Sequence, residues 1–327
     1  MNIINNIVTS SIIKRYEENP VLSAKDMPYE ASLIYNAGVT KFNGKYVMAF
    51  RNDTYDATRK RKDIKIGIAF SNDGIKWKVE PKTIFDLKDN EIISVYDPRL
   101  TVIARRCYMC FAIDTYSGLR GGIAVTDDFS HFEVLTMTAP DNRNMVLFPE
   151  LINGHYYRLE RPMPTYGSAW LNPPPTDDIW ISNSPNMVHW GNTKKLLSTK
   201  EIPFANLKCG PASPPIKTEK GWLTLFHAVD DDPSRGKNGW EDKWTRRYTT
   251  GVMLLDLNDP TKIIGVSKKP LIVPEADYEK EGMRGNVVFP GGMILEDDGE
   301  VKIYYGAADS VECLATAHID DLLKFCL

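Results

Sequence analysis

The sequence predicts an all-β protein, a five-bladed β-propeller, in one domain over residues 1–327. Three observations predict it. A two-strand pattern recurs five times along the chain, the turns within it carry hairpin chemistry, and helical periodicity is sparse. Copies of four short strands at a spacing of roughly 50–80 residues read as propeller blades. The alternative is a β-sandwich with irregular hairpins.

The first copy is "AGVTKFNGKYVMAFRND" and the second "DPRLTVIARRCYMCFAID". The third is "VLFPELINGHYYRLERP", the fourth "GPASPPIKTEKGWLTLFHAVD" and the fifth "VVFPGGMILEDDGEVKIYYGAAD". Four of them turn at "FNGKY", "INGHYY", "EKGW" and "DDGE", where Asn, Asp and Gly supply the positive φ that tight hairpins need. Each copy is followed by a further strand-like run. Three of those runs end alike, in "SNDGIKW", "TDDFSHF" and "SNSPNMVHW", a polar turn followed by an aromatic that can plug between sheets. The C-terminal "IDDLLKFCL" reads as a short helix, and the N-terminal "IINNIVTSSIIKRYEENP" as a short helix or an arm.

Composition bounds the function classes. Hydrophobic residues make up 43% and charged residues 25%, with a formal net charge of −3, the profile of a soluble globular chain with a large core. Such a balance points to neither nucleic acid nor a membrane surface. No apolar run approaches the ~20 residues that span a bilayer, and no signal peptide is expected. Five cysteines stand at positions 107, 110, 209, 313 and 326. Cys107 and Cys110 lie on a strand, where residues three apart face opposite sides, so they read as buried reduced thiols and a cytoplasmic location is expected. The five histidines show no zinc spacing, and no metal or cofactor is expected.

Polar residues recur at matching points of the copies. Near the first strand stand Asn36, Asp97, Arg143 with Asn144, Lys208 and Asn286. At the end of the second stand Arg51 with Asp53, Asp114, Arg161, His227 with Asp230, and Asp309. Inner-strand ends of different blades converge on one axis, so these residues are expected around one pocket. Its Arg and Lys suit an oxyanion, phosphate most of all, because a guanidinium binds such oxygens in a bidentate way. Tyr96, Tyr166, Trp170, Trp240, Trp244 and Tyr248 are candidates to stack on sugar faces.

The motifs "YDPRL", "NRNMVLFPELINGHYYRLERP", "DIWISNSPNMVHWG", "PPIKTEKGWLTLFHAV", "LLDLNDPTKIIG", "NVVFPGGMI" and "IYYGAAD" together resemble glycoside hydrolase family 130, the β-mannoside phosphorylases. The resemblance implies a five-bladed propeller that cleaves a β-mannoside with inorganic phosphate, giving α-mannose 1-phosphate with inversion. It implies Asp97 as the general acid, acting through the mannose 3-hydroxyl. Arg51, Arg143, Asn144, Lys208, His227 and Tyr248 then resemble the phosphate-binding set, and Asn36, Asp53, Arg161 and Asp309 the sugar-binding set. The expected partners are a β-mannoside oligosaccharide and phosphate, with a homo-oligomer implied by analogy. The charged segment between His227 and Tyr248 is longer than the family pattern and is expected to loop over the acceptor side. Two alternatives share the scaffold: a β-mannosidase, which would lack the basic set, and a non-catalytic sugar-binding propeller.

Overall fold

The computed structural model describes residues 7–87, 89–164, 176–236, 239–240 and 244–327. Five antiparallel sheets follow one another along the chain. Blade 1 comprises Leu33–Phe42, Lys45–Tyr55, Arg61–Ser71 and Lys78–Val79. Blade 2 comprises Ile92–Ile103, Arg106–Thr115, Gly118–Thr126 and Glu133–Met137. Blade 3 is built of Asn142–Leu147, Tyr156–Pro162, Ile179–Ser184 and Gly191–Leu197. Blade 4 uses Lys208–Pro211, Gly221–Asp231, Arg246–Leu255 and Ile263–Val266, with Ile216–Thr218 continuing its inner edge past Pro214 and Pro215. Blade 5 uses Val288–Leu295, Glu300–Ala307 and Val311–His318. Its outermost strand is Lys14–Arg15, paired with Ala315 and Thr316. The architecture is the expected five-bladed propeller.

The recurrent "SNDGIKW" pattern is one turn made three times. Asp73 accepts from the amides of Ile75 and Lys76, Asp128 from those of Ser130 and His131, and Asn186 from those of Val188 and His189. Side-chain carbonyls and carboxylates there replace the ladder that the turn interrupts.

Each pair of neighbouring blades shares one apolar layer. Phe42, Ile66, Met109 and Phe111 join blades 1 and 2, and Ile103, Ile123, Met145 and Leu147 join blades 2 and 3. Phe148, Ile181, Trp222 and Phe226 fill the next layer. Leu225, Val252, Val288 and Tyr305 fill the fourth, and Ile34, Met48, Tyr304 and Leu314 close the ring. Cys107 belongs to the layer on one side of blade 2 and Cys110 to the layer on the other. All five thiols are buried and unpaired, as strand alternation requires.

The C-terminal helix forms over Ile319–Cys326 and packs Leu322 and Leu323 on the layer between blades 4 and 5. At the other end no helix forms over residues 7–20; this segment is an arm. Pairing with the free edge of blade 5 satisfies backbone groups that a helix would leave unused. Arg15 holds the arm in place. It donates to both oxygens of the buried Glu279 at 2.7 and 3.0 Å and to the Val273 carbonyl at 2.7 Å. Glu279 also accepts from the Tyr305 hydroxyl at 2.9 Å.

Removing one partner of a buried pair leaves the other charge stranded, at about 3 kcal/mol or more. Arg15→Ala is therefore expected to lower the unfolding free energy by about 3 kcal/mol in urea denaturation. A loss of less than ~1 kcal/mol, the range of an exposed pair, would show that the arm does not hold the ring closed.

Candidate active site

The inner strands of blades 1, 2 and 3 break register at the same place. The breaks fall between Tyr35 and Gly38, Tyr96 and Arg99, and Arg143 and Val146. Each break contains one left-handed residue: Asn36 at φ 54°, Asp97 at 52° and Asn144 at 57°. Asn and Asp adopt this conformation more readily than other side chains that carry a Cβ. A bulge re-aims the side chain it carries, and all three residues line one pocket on the axis.

That pocket is a cavity of about 360 Å³. Among the described residues six cations line it, Arg51, Arg143, Arg161, Lys208, Arg246 and Arg284, against three carboxylates, Asp97, Asp231 and Asp309. Tyr248 and Trp244 form its aromatic wall, stacked 5.8 Å apart at 13°. Four lining side chains keep a buried polar atom without a hydrogen bond among the described residues: Oδ1 of Asn36, Oδ1 of Asn144, Nε of Arg143, and Nε of Arg161, which lies 3.9 Å from Asp177. Buried polar atoms are costly when unmatched, and their concentration here marks a site for a polar ligand.

Asp97 sits at the centre of the charges. Its Oδ1 accepts from the Asn36 amide at 3.0 Å, and its Oδ2 from Arg143 at 2.9 Å. Arg51 lies 3.7 Å from Oδ1. Burial pushes the carboxyl up, but Arg51, Arg143, Arg99 and the Asn36 bond together outweigh it and hold the group below its ordinary value. Asp309 is tilted the other way. Burial raises it, and the nearby carboxylates of Asp97 and Asp53 add to this against Arg284 and Arg51.

Several expected residues stand one step behind the pocket. Asp53, expected on the sugar, has no exposed surface and is absent from the lining. Its two oxygens take Nε and NH2 of Arg51 at 2.6 and 2.7 Å. That fork, with the rings of Tyr35 and Tyr96 at 4.7 and 4.8 Å on the guanidinium, fixes the direction of Arg51. His227, expected on phosphate, is likewise fully buried and outside the lining. Its Nδ1 donates to the Pro211 carbonyl at 3.2 Å, which leaves Nε2 to accept from Arg161 at 3.0 Å. Asp114 anchors the Tyr96 hydroxyl at 2.7 Å, and Asp230 binds Arg235 and Arg247. Of the second-strand ends, Arg51, Arg161 and Asp309 reach the cavity.

Lys208 and Tyr248 face each other, with Nζ 5.4 Å from the ring. Burial, then Arg161 and Arg143, lower the Lys208 pKa against the phenol of Tyr248, which raises it. Burial raises the Tyr248 phenol, yet Lys208 and Arg161 bring it below its ordinary value. Arg246, Arg284, Thr245, Asp231 and Phe289 also line the cavity and escaped the sequence reading. Strand alternation from Tyr248 would have found Arg246, two residues away on the same face. The charged insert leans towards blade 1: the Trp240 ring meets Tyr55 edge-on at 5.7 Å, beneath Arg59. Tyr166 and Trp170 lie outside the described residues.

His227 carries a pH prediction. Burial first, and then the charges of Arg161, Lys208 and Arg143, hold its imidazole well below the usual range. It is therefore neutral when folded and takes a proton only when unfolded, near pH 6.5. Stability should fall as pH drops through that value. Nitrogen-15 NMR of the ring should show a neutral Nδ1–H tautomer from pH 8 down to pH 5.5. An imidazolium at pH 6 would overturn the assignment.

Comparison with known proteins agrees with this geometry. A family model described as beta-1,4-mannooligosaccharide phosphorylase, glycoside hydrolase family 130, matches residues 5–327. A beta-1,2-mannobiose phosphorylase of Thermoanaerobacter sp. is 32% identical, over 91% of this chain and 94% of that one. A beta-1,4-mannooligosaccharide phosphorylase of Ruminococcus albus is 30% identical, over 96% and 90%. The solved beta-1,2-mannobiose phosphorylase of Listeria innocua, in complex with beta-1,2-mannobiose, superposes with a TM-score of 0.79 at 29% identity, over 96% of this chain and 99% of that one. The five blades, the axial pocket and a match over nearly the whole sequence lead to one conclusion: this chain belongs to glycoside hydrolase family 130, the family of the β-mannoside phosphorylases.

Proposed function

We propose that this chain is an inverting β-mannoside phosphorylase, cleaving a β-mannosyl disaccharide or oligosaccharide with inorganic phosphate to release α-mannose 1-phosphate. One observation carries the reading. A chain of net charge −3 gathers six cations against three carboxylates around one buried pocket. Such a field favours a small polyanion, and Arg143, Arg161 and Lys208 with the amide of Asn144 supply its donors. A hydrolase built on this scaffold would use a second carboxylate to activate water; Asp231 and Asp309 stand in the same pocket, so the basic set and not the carboxylate count favours phosphate. Phosphate is already nucleophilic and needs placement alone.

In this reading Asp97 gives its proton to the leaving oxygen through the mannose 3-hydroxyl, while phosphate attacks the anomeric carbon from the opposite face. The bond to the leaving sugar breaks as the bond to phosphate forms. Asp97 must carry a proton to do so, yet the surrounding arginines hold it ionised. Phosphate resolves the conflict. A dianion beside Arg143 offsets the positive charge that depresses Asp97 and raises its pKa. Phosphate binding and protonation of the acid are then linked, so the acid is charged with its proton when the nucleophile is in place.

Incubation with β-1,4-mannobiose, β-1,2-mannobiose and mannosyl-glucose, each with and without phosphate, tests the reading. Phosphate-dependent mannose 1-phosphate from one of them is expected. Free mannose formed without phosphate would replace the reading with a β-mannosidase. Asp97→Asn should lower kcat by about 10²–10⁴, the usual worth of a general acid, while phosphate affinity is unchanged or rises, because the substitution removes a negative charge beside the anion. Calorimetry in buffers of different ionisation enthalpy should show more net proton uptake on phosphate binding by wild type than by Asp97→Asn, the ionisation of phosphate itself being common to both.

A further inference from the structure

We propose that Glu312 and Arg99 are positioning residues for this reaction, clamping the Asn36–Ala37 peptide so that the Asn36 amide is aimed at Asp97. The inference rests on the function proposed above for the same site. It begins with two buried ionisable side chains that the proposed chemistry does not use. Arg99 is 3% exposed and Glu312 has no exposed surface, and neither lines the pocket.

Both reach one peptide unit. The bulge in blade 1 takes residues 36 and 37 off the ladder, so the Asn36 carbonyl and the Ala37 amide need other partners. Arg99 NH1 donates to the Asn36 carbonyl at 2.9 Å. The Ala37 amide donates to Glu312 Oε2 at 3.1 Å. One cation and one carboxyl thus hold the two ends of the same peptide dipole, each with the matching sign. Arg99 is itself tied by Nε to the Ala212 carbonyl at 2.8 Å and by NH1 to its neighbour Pro98 at 2.7 Å. Glu312 stands opposite Gly306 in the blade-5 ladder.

Steric contacts leave the peptide no other place. A Cβ on Gly306 would come within 2.6 Å of Asn36 Oδ1 and 2.7 Å of its backbone nitrogen. A Cβ on Gly291 would fall 1.9 Å from the Ala37 carbonyl oxygen. Blades 1, 2 and 5 therefore meet at this peptide, Arg99 ties it on to blade 4 through the Ala212 carbonyl, and the Asn36 side chain makes the 3.0 Å bond to Asp97. The left-handed φ of 54° at Asn36 is a strained state for a residue with a Cβ and persists only where its surroundings enforce it.

The charges facing Glu312 are few. Arg99 faces it from blade 2, and the adjoining Cys313 thiol is coupled to it on blade 5. Arg99 in turn faces Asp97, Arg143 and the Cys110 thiol. Burial, opposed by the Ala37 amide and Arg99, pushes Glu312 up to about 8. Its ionisation above that pH adds a negative charge behind the bulge.

The test is a double-mutant cycle between Glu312→Leu and Asn36→Ala, assayed as total mannose released, free or phosphorylated, at pH 7. Product identity then reports on the proposed function, and the cycle reports on the clamp. Glu312→Leu should lower kcat about tenfold or more, with KM for phosphate changed less than threefold. Asn36→Ala should do the same, and Glu312→Leu should cost nothing further in the Asn36→Ala background. Glu312→Gln, which still accepts from the Ala37 amide, should restore kcat to within about threefold and flatten the alkaline limb near pH 8. Should Glu312→Leu not fold, Gly306→Ala displaces Asn36 directly and enters the same cycle. Full additivity of the two losses, or an unchanged kcat in folded Glu312→Leu or Gly306→Ala, overturns the proposal.

Discussion

A strand that lines the axis of a propeller shows alternate residues to the two neighbouring apolar layers. While it stays regular, it turns on to the axis only side chains near its end, as at Lys208. The left-handed bulge in the inner strands of blades 1, 2 and 3 lifts this constraint. One extra residue slips the alternation and sends Asn36, Asp97 and Asn144 inward, while the flanking residues return to the layers. Every other feature of the pocket is arranged around this step: the peptide clamp, the arginines aimed at Asp97, and the glycines that let the blades approach.

The site is electrostatically expensive, and the fold separates its two demands. Apolar burial lies between blades, in five layers. Charge lies along the axis. Behind each of two pocket cations stands a partner that fixes its direction: Asp53 for Arg51, and neutral His227 for Arg161. A neutral imidazole is well suited to that place, because it accepts from a guanidinium without cancelling its charge. The pocket therefore keeps its net positive field while its side chains are held rigidly.

Much of this was legible in the sequence, for a physical reason. Hairpin turns and strand alternation are local, so the blades could be counted from Asn-Gly and Asp-Gly pairs and from repeated strand ends. Even the turn that lacked the signal, at Ala104 and Arg105, takes positive φ at both residues and was recovered from its neighbours. The pocket residues were legible as a set, because repeats place equivalent strand ends on one axis. What could not be read was depth. Asp53 and Arg51 are two residues apart on one strand, and His227 and Arg161 sit at corresponding ends of neighbouring blades. Which of each pair faces the cavity depends on how the blades pack. The clamp was invisible for the same reason: Arg99 and Glu312 are 213 positions apart in the chain and meet only through a peptide of a third blade.

The arm that supplies the last strand of blade 5 has a bearing on how the protein is made. Residues 14 and 15 leave the ribosome well before their partners, Ala315 and Thr316. Asp309 and Glu312, which complete the surroundings of Asn36, arrive in the same final stretch. Blades 1 to 4 can pair their own strands as they emerge, since each is local. The axial pocket cannot. Until blade 5 is made, the cations of the earlier blades have no finished cavity, and blade 1 presents an uncovered apolar face where blade 5 will dock. Ring closure thus makes the binding site a late product of folding, assembled when the arm and blade 5 meet.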